Sequence, residues 1–138
     1  MIKNFNHVLC ASGMMFLAAC SGNGFLSSSK PDRNQSSSDQ AAAESALKDG
    51  INLYDSGNYN GALKRLSAVG KYPKIDTEVQ VSALKYMAFS YCVTARQILC
   101  KQQFQRAFAL DPAFNLAYGE IGHPLWNSTF EQAKREKH

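Results

Sequence analysis

The chain reads as an all-α protein made of two antiparallel helical hairpins followed by a C-terminal capping helix. Three observations point there. Between residues 81 and 112, apolar side chains fall at Leu84, Met87, Ala88 and Tyr91 and again at Cys100, Phe104, Ala107 and Phe108, each set spaced as one helical face. The stretch between the sets, Thr94-Ala95-Arg96-Gln97, is short and mostly polar, so the two helices must fold back on one another. The pattern also stands 38 residues earlier: that interval separates Gly50 from Ala88, Leu53 from Tyr91, Ala62 from Cys100, Leu66 from Phe104 and Val69 from Ala107.

A length of 138 residues suffices for one domain with a real core, but not for two. Hydrophobic residues at 45% and charged residues at 19% place the chain among ordinary soluble globular proteins. The net charge of +4 is small and scattered, with no Lys/Arg block and no interleaving of bases and aromatics. A nucleic-acid partner is therefore not expected.

The first stretch, MIKNFNHVLCASGMMFLAAC, has a positive start at Lys3 and a short apolar run from Val8 to Ala19. The run is too short to span a bilayer as a stable helix. Leu17-Ala18-Ala19-Cys20 resembles the bacterial lipobox, in which cleavage leaves the cysteine as an acylated N-terminus. Residues 1–19 are thus read as a lipoprotein signal peptide and Cys20 as the lipidation site, in preference to a plain secretory signal cut nearby. The covalent lipid on Cys20 is the membrane attachment, and several acyl chains anchor where one would not. Ser21 stands where retained inner-membrane lipoproteins of enteric bacteria carry Asp, which favours the outer membrane, periplasmic face.

Residues 20–40 are read as the lipidated cysteine and its tether: 21–40 hold seven serines and almost nothing that packs. As a Gly/Ser-like coil they would reach roughly 25 Å. The helical domain is expected over 41–138. In its first hairpin, Leu47, Ile51 and Tyr54 line one face and Ala62, Leu63, Leu66 and Val69 line the next helix. Gly57 supplies a positive φ in the turn, Asn58 or Asn60 caps the second helix, and Gly50 sits at a close crossing. Lys71-Tyr72-Pro73 breaks the chain, and Thr77 with Gln80 offers a capping box for the next helix. Asp111-Pro112 ends the second hairpin.

Two cysteines survive processing in an exported, oxidising compartment. Cys92 and Cys100 each lie four residues from Arg96, so a hairpin turning there brings them face to face. A disulfide is favoured over two separate buried thiols. A redox pair is disfavoured, because the spacing is not C-x-x-C and nothing evident lowers either thiol pKa.

Beyond the second hairpin, an irregular turn is expected around Tyr118-Gly119-Glu120. A helix then runs from about Leu125 to Lys137, opened by Pro124, with Leu125/Trp126, Phe130 and Ala133 on its apolar side. The histidines are His7, His123 and His138, and none has a paired acid, nucleophile or second ligand in reach by sequence. No catalytic residue, metal site or cofactor is therefore assigned, and His123 is read as a structural turn residue.

Helix, tight turn, helix and Pro together resemble a tetratricopeptide repeat. Small Ala88 three before Tyr91, small Cys100 four before Phe104 and Ala107 five before Pro112 follow that family's alternation of small crossing residues and large groove-fillers. The run YDSGNYNGAL is close to the same turn-and-helix pattern. The family period is about 34, so four residues are extra here, assigned to 70–78, and Ala95 stands where the turn glycine is usual. GHPLWNSTF and the Cys92/Cys100 spacing also resemble small tetratricopeptide lipoproteins found with type VI secretion genes.

The resemblance implies a non-enzymatic α-solenoid fragment that binds protein partners in the cell envelope and supports an envelope-spanning assembly. A pilotin-like lipoprotein escorting a secretin is the alternative within binding modules; a thiol-redox or other enzyme is the alternative from another class. Carried over from the family, the partner groove comprises Leu47, Ile51 and Tyr54 in the first repeat and Lys85, Phe89 and Val93 in the second. It suits an amphipathic segment, unless the C-terminal helix fills it with Trp126 and Phe130. The sequence does not set the oligomeric state.

Overall fold

Every regular element among the described residues is helical, so the all-α class is correct. The computed structural model of the protein describes residues 33–72 and 74–137. The expected signal peptide, the Cys20 lipidation site, the tether up to residue 32, Pro73 and His138 lie outside the described residues. The elements are α1 (Arg33–Asp55), α2 (Tyr59–Leu66), a single 3-10 turn (Val69–Lys71), α3 (Thr77–Val93), α4 (Gln97–Leu110) and α5 (Asn127–Arg135).

The boundary expected at residue 41 is too late: α1 starts at Arg33, inside the serine-rich stretch assigned to the tether. Serines are mediocre helix formers, and composition alone argues for a coil. The helix nonetheless extends through them and is tied down by a long-range contact at Gln40. The Gln40 side chain brackets Asp76, its Oε1 accepting the Asp76 N–H at 2.9 Å and its Nε2 donating to Oδ2 at 3.0 Å. Extending an existing helix costs far less than nucleating one, so the polar turns before Gln40 continue it.

Gly50 is the crossing point between α1 and α2. A Cβ there would lie 2.5 Å from Leu66 Cγ and Cδ2, so only glycine permits the observed approach. The α1–α2 turn is a Schellman cap: Asn58 N–H donates to the Leu53 carbonyl at 2.8 Å, Gly57 N–H to Tyr54 at 2.9 Å, and Gly57 takes φ +78°. Asn58 then caps α2, its Oδ1 accepting the Gly61 N–H at 3.0 Å. The α3–α4 turn repeats this arrangement. Arg96 N–H donates to Tyr91 at 2.8 Å and Ala95 N–H to Cys92 at 3.1 Å, with Ala95 at φ +58°. An alanine thus adopts the left-handed conformation that glycine takes in the first turn.

The Thr77/Gln80 capping box does not form. Asp76 is the N-cap residue of α3, which puts Thr77 and Gln80 one register too late for reciprocal capping. Gln80 Nε2 donates instead to the Ile75 carbonyl at 3.1 Å.

α3 is the central element and carries apolar residues around much of its circumference, as a helix enclosed by the fold must. Ala83 and Met87 join Ala43, Ala46, Ala62, Leu63, Leu66, Val69 and Ile75 in one core cluster. Leu84, Ala88, Phe89 and Cys92 join Cys100, Phe104, Ala107 and Phe108 of α4 in the other. The C-terminal segment completes that second cluster with Phe114, Leu116, Trp126, Phe130 and Ala133. Its helix is shorter than expected at both ends. Gly122 at φ +79° and a turn in which His123 O accepts the Asn127 N–H at 2.9 Å delay the start of α5, so Pro124 and Leu125 precede it.

Candidate functional site

The six groove residues taken from the sequence do not form one open surface. Leu47, Ile51 and Tyr54 on α1 are half-buried, with Leu47 and Tyr54 packed against the first core cluster. Tyr54 sits in a knot of rings: 5.6 Å from Tyr59, 5.4 Å from Tyr86 and 6.1 Å from Phe89 between centroids. Burial, then the neighbouring Tyr59 and Tyr86 and the Asp55 and Glu120 carboxylates, push the Tyr54 phenol up to about 12. Burial, followed by Glu120 and Asp55, raises Tyr86 as well.

The α3 half of the expected groove is occupied by the chain itself, the second of the two alternatives the sequence leaves open, so Phe89 does not line an open groove. Phe89 is 2% exposed. The Trp126 ring stacks on it with centroids 4.2 Å apart and planes 25° from parallel. Trp126 Nε1 donates to the Glu120 carbonyl at 3.0 Å, so the indole's polar atom is satisfied as it enters the core. Lys85, the one cation expected in the groove, is paired: its Nζ lies 2.7 Å from Glu120 Oε1, with both side chains about four-fifths buried. Glu120 Oε2 also accepts the Ala117 N–H at 2.9 Å. Val93 is half-buried against the second cluster.

The physical reason is area. Two hairpins leave Phe89 and its neighbours on α3 uncovered, and a tryptophan buries roughly 150–250 Å² when it closes such a face. At about 25 cal/mol per Å² this is some 4–6 kcal/mol, enough to hold an irregular segment in place. Sequence reasoning named Trp126 as a possible filler. Glu120 was missed as the residue that pairs Lys85 and orients Trp126, since the two partners lie 35 residues apart with no local pattern joining them.

His123 stacks on Trp126 at 3.5 Å with planes 5° apart, and its Nδ1 accepts the Leu125 N–H at 3.3 Å. It is a turn residue packed against the tryptophan. Cys92 and Cys100 form a disulfide with Cα atoms 5.2 Å apart, directly beneath the Ala95 turn. Both cysteines are buried, away from any attacking thiol. Beside the bridge, Gln97 at the start of α4 accepts the Thr129 hydroxyl of α5 at 2.9 Å, tying the cross-linked turn to the C-terminal helix.

Among the described residues no group of three or more His, Cys, Asp or Glu is placed to hold a metal ion, and no helix is long and apolar enough to cross a membrane. On the face of α3 opposite Phe89 a cleft of about 360 Å³ opens between α2, α3 and α4. Sequence reasoning did not find it, because its lining comes from α2, the 3-10 turn, α3 and α4 and carries no motif. No family model matches the chain, and comparison with curated proteins and with solved structures gives no significant match.

Proposed function

We propose that the protein is a lipid-anchored, tetratricopeptide-like adaptor on the periplasmic face of a bacterial outer membrane, where it positions a protein partner in an envelope-spanning assembly such as a type VI secretion system. In this reading α1–α2 and α3–α4 are two antiparallel hairpins of one repeat family, and α5 is their cap. The observation that carries it is the duplicated turn: Gly57 and Ala95, 38 residues apart, share a left-handed φ and close equivalent pairs of backbone hydrogen bonds. Left-handed caps end many helices, so the weight comes from the interval: the two turns stand at the same 38-residue spacing as Gly50/Ala88, Leu53/Tyr91, Ala62/Cys100, Leu66/Phe104 and Val69/Ala107. The Leu-Ala-Ala-Cys sequence ending at Cys20 supplies the anchor, and the absence of any recognised catalytic cluster in the sequence makes binding the simpler role.

The anchor is tested by Cys20→Ser, which is expected to leave a larger, unprocessed precursor that no longer fractionates with outer membranes. A soluble wild-type protein with a free mature N-terminus refutes it. The adaptor role is tested by affinity isolation from detergent-solubilised membranes with mass spectrometry, where a stoichiometric envelope protein is expected. Recovery of no partner from membranes that hold the anchored protein refutes that role.

A further inference from the structure

The chain's own C-terminal segment fills the expected groove, so the partner surface is to be sought elsewhere. We propose that it is the cleft between α2, α3 and α4, and that its occupant is an amphipathic helical segment of the partner whose apolar anchor is flanked by carboxylates. This rests on the adaptor reading above.

Helical periodicity puts Gln80, Ala83, Leu84 and Met87 on the face of α3 opposite Lys85 and Phe89. Those four, with Leu66 and Val69 from the first hairpin, form the walls of the cleft, and its volume of about 360 Å³ falls in the range of real ligand sites. The floor is apolar. Met87 adds an unbranched, adaptable side chain of the kind that accommodates varied partners.

Two features choose the occupant. The first is shape: the void continues outward onto α4 at Ala109 and at Leu110, which is 44% exposed. A single acyl chain would fill the void and leave this ledge in water, whereas a helix seats one anchor inside and covers the ledge with the next turn. The second is charge. Arg106 stands in the lining, exposed, with its Nη1 donating to Gln103 Oε1 at 3.3 Å, and among the described residues no carboxylate lines the cleft. Asp111, next to Leu110 in the chain, accepts the Ala113 N–H at 2.8 Å and lines a separate polar cleft with Glu78 and Asn115. An apolar floor with a guanidinium at its mouth selects an apolar anchor beside a carboxylate, which Arg binds with two parallel hydrogen bonds.

The test uses the isotope-labelled full chain and two synthetic amphipathic helices. Both carry leucines at i, i+3, i+4 and i+7, flanked by glutamates in one and by lysines in the other. The glutamate helix is expected to shift the amide signals of Val69, Ala83, Met87, Arg106 and Leu110 saturably. Arg106→Glu, a change at an exposed position, is expected to weaken that helix by about tenfold or more and to strengthen the lysine helix. Equal binding of both helices, shifts centred on Lys85, Phe89 and Trp126, or no saturable shift overturns the proposal. So does decanoate filling the cleft while neither helix binds, which would make the site one for free acyl chains. If a partner isolated from membranes is retained by the Arg106→Glu chain, the cleft is the wrong surface and the adaptor reading stands. If no partner is recovered at all, it is the adaptor reading that fails.

Discussion

Replacing Phe89 by alanine distinguishes a partner groove from a core. Phe89 is 2% exposed and meets four rings: Trp126 at 4.2 Å, Tyr86 at 5.8 Å, and Phe104 and Tyr54 each at 6.1 Å. A buried Phe→Ala change costs about 3–5 kcal/mol through lost transfer energy and the cavity left behind. The stack on Trp126 puts this site in the upper part of that range, since aromatic pairs add about 0.5–1.5 kcal/mol beyond area. For a domain of about a hundred residues each kcal/mol moves Tm by roughly 4–6 °C, so at about 4–5 kcal/mol a fall of about 16–30 °C is expected. Thermal unfolding followed by far-ultraviolet circular dichroism measures it. Trp126 is the only tryptophan, so its emission reports the same site independently and is expected to shift red in the folded variant. A Tm fall of less than about 3 °C with unchanged Trp126 emission would refute the packing argument and return Phe89 to an open groove.

Three other outcomes follow from the same geometry. Ala95→Gly is expected to stabilise the protein by about 1 kcal/mol, and Gly57→Ala to destabilise it by a similar amount, because the left-handed conformation costs an alanine roughly that much; urea unfolding midpoints decide both. Replacing Cys92 and Cys100 together by serine removes a cross-link spanning eight residues and is expected to cost about 2–3 kcal/mol while helicity survives, and peptide mapping of the unreduced wild type should return the joined pair. The Tyr54 phenol is raised from 10 to about 12 in the folded state, so its contribution to stability is complete below pH 10 and is lost as pH rises toward 12. Tyr54→Phe removes that loss, so the difference in stability between variant and wild type should move in the variant's favour across this window; a constant difference would contradict the burial of Tyr54.

Local rules were enough for some of the molecule and not for the rest, and the dividing line is sequence separation. The apolar spacing of 81–108, the glycine at the α1–α2 turn and the Asn58 cap are all decided within a few residues, by helical period, by φ and by one side-chain oxygen, and the Gly50 crossing with Leu66 is legible through the 38-residue repeat. The disulfide was legible for the same reason, since two cysteines symmetric about a tight turn have nowhere else to face. Three features were settled only by tertiary structure. Helix α1 begins at Arg33 and is tied at Gln40 to Asp76, 36 residues away, and no composition rule for serines contains that contact. Helix α3 lacks the expected capping box because Asp76, whose N–H and carboxylate are held by the Gln40 side chain, is its N-cap, which puts Thr77 and Gln80 one register too late. The α3 half of the groove is closed because Glu120 and Trp126 arrive from a segment with no regular structure, and such a segment leaves no periodic trace in sequence. A helical pattern records which face of a helix is apolar; what covers that face depends on how much area remains once the hairpins have packed.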